Sequence, residues 1–132
     1  MIKRSIFLSS SVRDSALAAK VEKALEGLGF DAFNPMNDMS PGDDWRKSIK
    51  AAIKRSEALL LIVASPDAAA SSWMAYEAGV ADALGKQVML LVPEIYPSAQ
   101  LPPDLRAQKV LRLDPHRPDR AARDVVERLA AA

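Results

Sequence analysis

A glutamate among apolar residues is the side chain of this sequence best suited to chemistry. It lies on a short predicted helix, for which Ser71 or Ser72 supplies the N-cap and Gly85 the C-terminal stop. At about 100° per residue, the face that carries Glu77 also carries large apolar side chains, namely Trp73, Val80 and Leu84. The other acid of the helix, Asp82, points about 140° away from Glu77.

This placement predicts a poorly hydrated carboxylate. Removing a carboxylate from water costs several kcal/mol unless a proton, a hydrogen-bond donor or a cation compensates it. Such a group suits a cationic substrate. The alternative is that Glu77 lies solvated at the rim of the helix and that Trp73 is an ordinary core residue. The spacing alone leaves both interpretations open.

Composition narrows the classes of function. The 132 residues suffice for one domain, residues 1–132, and include no cysteine, which excludes disulfides, thiolate metal sites and a cysteine nucleophile. Eighteen basic and seventeen acidic residues give a net charge of +1, without the basic runs that track nucleic acid. The longest apolar stretch, Ala58 to Ala64, is far shorter than the roughly 18 residues that span a bilayer. We therefore expect a cytoplasmic protein with neither nucleic acid nor membrane as a partner.

Short apolar runs alternate with amphipathic segments along the chain. The predicted strands are Ser5–Ser9, Phe30–Phe33, Ala58–Ala64, Gln87–Val92 and Val110–Leu113. The predicted helices begin at Asp14 or Ser15, at Asp43 or Asp44, at Ser71 or Ser72 and at Pro118, and they end at Gly27, Ser56, Gly85 and Leu129. This alternation predicts an α/β fold with a flavodoxin-like five-stranded parallel sheet, order 2-1-3-4-5, and helices on both faces.

The predicted topology brings several polar segments to one place. In such sheets ligands bind beyond the carboxyl ends of the strands, where the strand order reverses between the first and third strands. The segment from Ser9 to Asp14, the loop after Phe33 and the loop leading to Trp73 and Glu77 all converge there. This convergence favours the functional interpretation of Glu77.

Three stretches in this order resemble the Toll/interleukin-1 receptor (TIR) domain family in its bacterial form. Phe7-Leu8-Ser9 with Asp14 is similar to the first box of the family. The second box is similar to Asn37-Asp38-Met39-Ser40-Pro41-Gly42 followed by Trp45 and Ile49. Ser65-Pro66 is similar to the exit of the family's third strand. Ser72, Trp73 and Glu77 are similar to the helix that carries the family's catalytic glutamate. The resemblance spans about residues 4 to 93.

The resemblance implies a function. Enzymatic members of the family cleave the bond between nicotinamide and ribose in NAD+ and release nicotinamide with linear or cyclised ADP-ribose. In bacteria they often act in antiphage defence or signalling. By resemblance Glu77 is the catalytic residue, and the substrate-binding candidates are Ser9, Ser10, Ser11, Arg13, Phe33, Asp43 and Trp73. NAD+ is then a substrate rather than a cofactor, and the expected partners are NAD+ and other TIR domains through self-association.

One carboxylate suffices for this chemistry. Glycosidases usually use two carboxylates, because a poor leaving group must be protonated. Nicotinamide is attached as a pyridinium and leaves as a neutral molecule, so a single anion can stabilise the oxocarbenium-like ribose or act as a nucleophile. Serine hydroxyls, the amides at the start of the first helix and Arg13 are candidate donors to the diphosphate.

Two other classes of function remain. Glu77–Lys86 also resembles nucleoside 2-deoxyribosyltransferases, which use a glutamate nucleophile on a similar sheet. That family has aspartates shortly before the glutamate, where this chain has Ser71, Ser72 and Trp73. Many TIR domains are instead non-enzymatic assembly modules that act through the loop after the second strand, here Asn34–Gly42.

Structural roles compete with each functional one. Ser9–Ser11 is equally compatible with a capped loop, and Trp73 and Phe33 are aromatic residues of types often found in a core. The only histidine, His116, is expected to be exposed and away from the cleft. Asp43 with Asp44 suits a helix cap better than a metal site, and no metal site is predicted.

Overall fold

Strands and helices alternate from residue 5 to residue 93, as the apolar patterning predicts, and a fifth strand and a last helix follow. The computed structural model describes residues 4–34, 45–65, 72–94, 101 and 108–131. Strands β1 to β5 are Ser5–Ser10, Asp31–Phe33, Ala58–Ile62, Gln87–Pro93 and Lys109–Leu113. Helices α1 to α4 are Ser15–Gly27, Trp45–Arg55, Ser72–Ala83 and Pro118–Ala131.

The five strands form one parallel sheet in the order β2-β1-β3-β4-β5, which confirms the predicted topology. Strand β3 lies at the centre, and all five of its residues are buried. Its continuous apolar sequence is required there because a central parallel strand is covered on both faces. In the β1–β3 register Ser9 lies opposite Leu61, and the last pair is Ser10 opposite Ile62.

Helices cover both faces of the sheet, as predicted. On one face, buried residues of α1 and α4 pack on alternate strand residues, among them Ile6, Leu8, Leu60 and Ile62. On the other face, buried residues of α2 and α3 pack on the intervening strand residues, among them Phe7, Leu59 and Leu61. The alternation of side chains along a strand therefore assigns Ser9 to the face that α2 and α3 cover. None of the helices in the described part of the chain has the length and apolar character needed to cross a membrane.

Several element boundaries differ from the prediction. β2 begins at Asp31 because the amide of Phe30 donates to the carbonyl oxygen of Leu25 and so belongs to the end of α1. β3 ends at Ile62 rather than Ala64, and β1 continues to Ser10. Beyond β1, Val12–Asp14 forms one turn of 3-10 helix where we predicted a loop.

The glycine at the end of α3 confirms the predicted helix stop. Gly85 has a φ of 71°, a left-handed conformation that glycine adopts without a steric penalty. The amide of Lys86 donates to the carbonyl oxygen of Ala81 over 2.9 Å, which satisfies one of the last carbonyls of the helix. The chain then turns directly into β4, so the position of α3 on the sheet is fixed at its carboxyl end.

The buried face of α3 agrees with the predicted stripe only in part. Glu77 is buried and Val80 packs partly buried against the core, whereas Leu84 is 42% exposed. Met74, Ala78 and Ala81 are buried as well. On a helical wheel the centre of the buried face lies about 80° from the centre of the predicted stripe, and Glu77 borders both faces. Leu84 is exposed because it follows the last helical residue, and Leu28 is exposed at the end of α1 for the same reason.

Candidate functional site

A hydrogen bond between β1 and α3 is the centre of the candidate site. The hydroxyl of Ser9 donates to Oε1 of Glu77 over 2.5 Å. Ser9 is 3% exposed and Glu77 has no exposed surface. A distance this short is typical of a hydroxyl that donates to a carboxylate. The interpretation of Glu77 as a solvated residue at the helix rim is therefore wrong.

Local sequence explains why these two side chains meet. Ser9 lies on the same face of β1 as Phe7, which is the face packed by α3. On α3, Glu77 is one turn after Met74 and one turn before Ala81, both of which contact the sheet. The carboxylate is thus held at the carboxyl end of β1, beside the point where the strand order reverses between β1 and β3.

Two further serines continue from Ser9 at the end of β1. The hydroxyl oxygens of Ser10 and Ser11 are buried, and neither has a hydrogen-bond partner among the residues that the structure describes. A buried hydroxyl without a partner costs about 1–3 kcal/mol, so buried hydroxyls usually bond to the protein, to water or to a ligand. Both hydroxyls could serve a ligand at this edge of the sheet, and their substrate-binding role stays a prediction.

A second carboxylate, which the sequence analysis did not assign to the site, links two loops at the same edge. Oδ2 of Asp14 accepts hydrogen bonds from the amide of Ala64 over 3.1 Å and from the hydroxyl of Ser65 over 3.3 Å. Asp14 is 6% exposed. In the sequence, Asp14 belongs to the first-box resemblance and to the segment that converges on the site, but helix capping is the ordinary interpretation of an aspartate at the start of a helix.

The structure places Phe33 against protein side chains. Its ring centroid lies 5.5 Å from that of Phe7, with the ring planes tilted by 37°. The guanidinium of Arg55 lies 5.5 Å from the Phe33 ring centroid. Phe33 is half-buried at the carboxyl end of β2, so its role in lining a nucleotide cleft stays a prediction beside this packing role.

Comparison with protein families decides the identity of the fold. A model of the TIR domain matches residues 6–130. The chain belongs to the TIR domain family. This match extends beyond the resemblance seen in the sequence, which ended near residue 93, and it includes β5 and α4 of this TIR domain.

Solved structures share the fold of this TIR domain. The TIR domain of the Toll-related receptor TRR-2 from Hydra magnipapillata is 19% identical, with a TM-score of 0.70, and the match covers 95% of this chain and 93% of that one. The CMP N-glycosidase BcmB from Clostridium botulinum is 22% identical, with a TM-score of 0.59 and coverages of 94% and 99%. A 2-desoxiribosyltransferase from Leishmania mexicana is 17% identical, with a TM-score of 0.60 and coverages of 77% and 76%. Comparison with curated protein sequences gives no match.

The remaining site predictions for this TIR domain are placed as follows. Arg13 is exposed and lies in the 3-10 turn that follows β1, at the same end of the sheet as Ser9. Asp43 lies outside the described residues. Trp73 belongs to α3, but its side chain is outside the described part of the chain. Their binding roles stay predictions.

A concave region lies away from Glu77. A cleft of about 710 Å³ is lined by residues at the carboxyl ends of β4 and β5 and on α4, among them Arg112, His116, Arg120 and Asp124. His116 is exposed, as predicted. The cleft is lined by charges of both signs. It lies beside β4 and β5, whereas the ligand site in this type of sheet lies where the strand order reverses, between β1 and β3. Among the described residues, no group of three or more acidic or histidine side chains is arranged to hold a metal ion.

Proposed function

We propose that this TIR domain cleaves the bond between nicotinamide and ribose in NAD+, with Glu77 as the catalytic carboxylate. The observation that carries the proposal is the burial of Glu77, with its Oε1 held by the Ser9 hydroxyl, at the carboxyl end of β1. A carboxylate removed from water interacts more strongly with positive charge than an exposed one. The nicotinamide ribosyl group of NAD+ supplies such a charge.

The chemistry balances with this one acid. The bond between the pyridinium nitrogen and the anomeric carbon breaks, and its electron pair leaves with neutral nicotinamide. Positive charge then develops on the ribose ring, where the anion of Glu77 stabilises it or forms a glycosyl ester. Water attacks the anomeric carbon and loses a proton, which gives ADP-ribose, whereas attack by an internal group of the nucleotide gives a cyclised product.

A protein named as a nucleotide N-glycosidase shares the fold of this chain. The Clostridium botulinum protein is named as a CMP N-glycosidase, and it shares the sheet and helices of this chain over nearly its full length. At 22% identity the likeness is one of fold, and the proposed reaction rests on Glu77. Cytoplasmic action, self-association with other TIR domains and a role in bacterial antiphage defence or signalling are parts of the same proposal.

Transfer of a deoxyribosyl group is the second candidate function. The Leishmania mexicana structure is named as a 2-desoxiribosyltransferase, and its fold covers 77% of this chain. By the resemblance noted in the sequence, such a reaction also uses a glutamate, as a nucleophile toward the anomeric carbon. The lack of aspartates in Ser71-Ser72-Trp73 argues against it.

One experiment separates these functions. Concentrated protein is incubated in parallel with NAD+, with CMP, and with a deoxynucleoside plus a different free base, and the products are resolved by chromatography. We expect nicotinamide from NAD+ alone. Base exchange in the third mixture would favour the transferase, and no turnover of any substrate, together with self-association, would favour a non-enzymatic assembly module.

Replacing Ser9 with alanine should lower kcat for NAD+ cleavage about 10- to 100-fold. A hydrogen bond to a charged group is worth about 1.5–3 kcal/mol, and its loss leaves the Glu77 carboxylate less firmly oriented. We expect a smaller change in KM, because Ser9 is 3% exposed and its hydroxyl contacts Glu77. Steady-state kinetics of nicotinamide release measures both constants.

Ser56 offers a matched control for Ser9. It is 2% exposed, and its hydroxyl donates to the carbonyl oxygen of Ala52 over 2.6 Å, between the end of α2 and the start of β3. This is the opposite edge of the sheet. Ser56→Ala should therefore change stability without changing kcat, and equal losses of kcat in the two variants would contradict the positioning role of Ser9.

A further inference from the structure

We infer that Asp14 is a positioning residue of the site, which fastens the segment after β1 to the segment after β3 and so maintains the Ser9–Glu77 contact. The catalytic part of this inference rests on the proposed function. Asp14 has no assigned part in the chemistry. It is nevertheless buried, with 6% of its surface exposed, at the same edge of the sheet as Ser9 and Glu77.

The position of Asp14 in the sequence predicts that its carboxylate caps α1, but it does not. Asp14 is the N-cap residue of α1, and aspartate is among the preferred N-caps because its side chain can accept from the first amides of the helix. Here the side chain makes no capping hydrogen bond. It accepts instead from the amide of Ala64 and the hydroxyl of Ser65, 50 and 51 residues further along the chain. A residue that needed only to cap α1 would not be directed away from it.

These hydrogen bonds continue the β1–β3 pairing beyond the sheet. The last register pair of the two strands is Ser10 opposite Ile62. Ala64 and Ser65 come two and three residues after Ile62, on the chain that leads to α3. The Asp14 contacts therefore join the two segments just beyond the last register pair.

The two hydrogen bonds of the Asp14 carboxylate, which we call the Asp14 clamp, are connected to the serines of the site through the backbone. The amide of Asp14 donates to the carbonyl oxygen of Ser11 over 3.1 Å, which closes the 3-10 turn. Ser11 follows directly on Ser9 and Ser10. The Asp14 carboxylate therefore holds the exit of β3 against the segment that contains Ser9, whose hydroxyl donates to Glu77. Because misplacement of a catalytic group by about 1 Å can cost on the order of 100-fold in rate, such a clamp affects kcat without touching substrate.

Two variants of Asp14 test the inference. Asp14→Ala removes the acceptor, and Asp14→Asn keeps a side-chain oxygen that can accept from the Ala64 amide. We expect Asp14→Ala to lower kcat per folded molecule about 10-fold or more and Asp14→Asn to restore most of it, with the folded fraction measured by thermal unfolding. Asp114→Ala is the control, since Oδ1 of the exposed Asp114 accepts from the amide of His116 over 2.9 Å at the exit of β5.

Hydrogen exchange supplies a readout that does not depend on activity. In Asp14→Ala the amides of Ala64, Ser10 and Ser11 should exchange about 10-fold faster or more, whereas Asp114→Ala should leave them unchanged. Unchanged exchange at these amides, or full kcat in Asp14→Ala when the wild-type protein cleaves NAD+, would overturn the inference. A wild-type protein that does not cleave NAD+ would instead refute the proposed function, and the exchange rates would still decide whether Asp14 is a clamp.

Discussion

Replacement of Glu77 by glutamine should lower the rate of nicotinamide release from NAD+ at least about 100-fold, and we expect up to about 1,000-fold. Glutamine has nearly the same size, and its amide oxygen can accept the hydrogen bond that the Ser9 hydroxyl now donates to Oε1. The substitution therefore removes the negative charge and little else. Initial rates at saturating NAD+, with product resolved by chromatography, measure the effect.

The same helix provides the control for Glu77→Gln. Asp82 is exposed on α3, and its Oδ2 accepts from Nε2 of Gln108 over 2.9 Å. Asp82→Asn removes the same charge from the same helix but on another face. Its rate should stay within about twofold of the wild type, as is usual for an exposed surface substitution. A similar loss in both variants would mean that the net charge of α3 matters rather than the carboxylate at Glu77.

Glu77→Gln should lower the rate of NAD+ cleavage without lowering the melting temperature. A buried carboxylate is costly to desolvate, so an uncharged replacement of similar volume is often neutral or stabilising. We expect the melting temperature of Glu77→Gln to equal or exceed that of the wild type. This result would show that the loss of rate comes from the chemistry and not from unfolding.

The largest loss of stability is expected from the central strand. Leu60 has no exposed surface and packs with α1 and α4 in the middle of β3. Leu60→Ala removes buried apolar surface and leaves a cavity that the close-packed sheet cannot fill. We expect it to lower the free energy of unfolding by about 2–5 kcal/mol. Urea denaturation followed by circular dichroism measures the change.

Leu84 is the matched leucine for that experiment. It is 42% exposed just beyond the end of α3. Leu84→Ala should cost less than about 0.5 kcal/mol, as most exposed substitutions do. If instead Leu84→Ala cost as much as Leu60→Ala, the predicted apolar stripe through Leu84 would be the correct description of α3, and the observed buried face would be wrong.

The sheet order was predictable because the strongest patterns in the sequence belong to the central strands. Ala58–Ile62 and Gln87–Pro93 are nearly continuous apolar runs, and only strands covered on both faces combine that pattern with such short lengths. With amphipathic helices between the strands, right-handed crossovers leave few topologies. The location of the candidate site followed from the topology, since the strand order reverses beside β1.

The face of α3 and the contacts of the site were not predictable in the same way. Helical periodicity identifies a stripe, but small residues such as Ala78 and Ala81 carry little signal, although they are what allows α3 to lie close to the sheet. The partner of Ser9 depends on which helix covers its face of β1. The Asp14 contacts join residues 50 positions apart, and an N-cap explains an aspartate at that position equally well from sequence.

A crystal structure of the Glu77→Gln variant with NAD+ bound tests the central claim most directly, because the variant should bind substrate without consuming it. We expect the anomeric carbon of the nicotinamide ribose within about 3.5 Å of the residue 77 side chain, the separation of groups poised to react. The diphosphate should lie toward the segment from Ser9 to Arg13. NAD+ seated instead in the cleft beside Arg112 and Arg120, remote from the residue 77 side chain, would contradict the account.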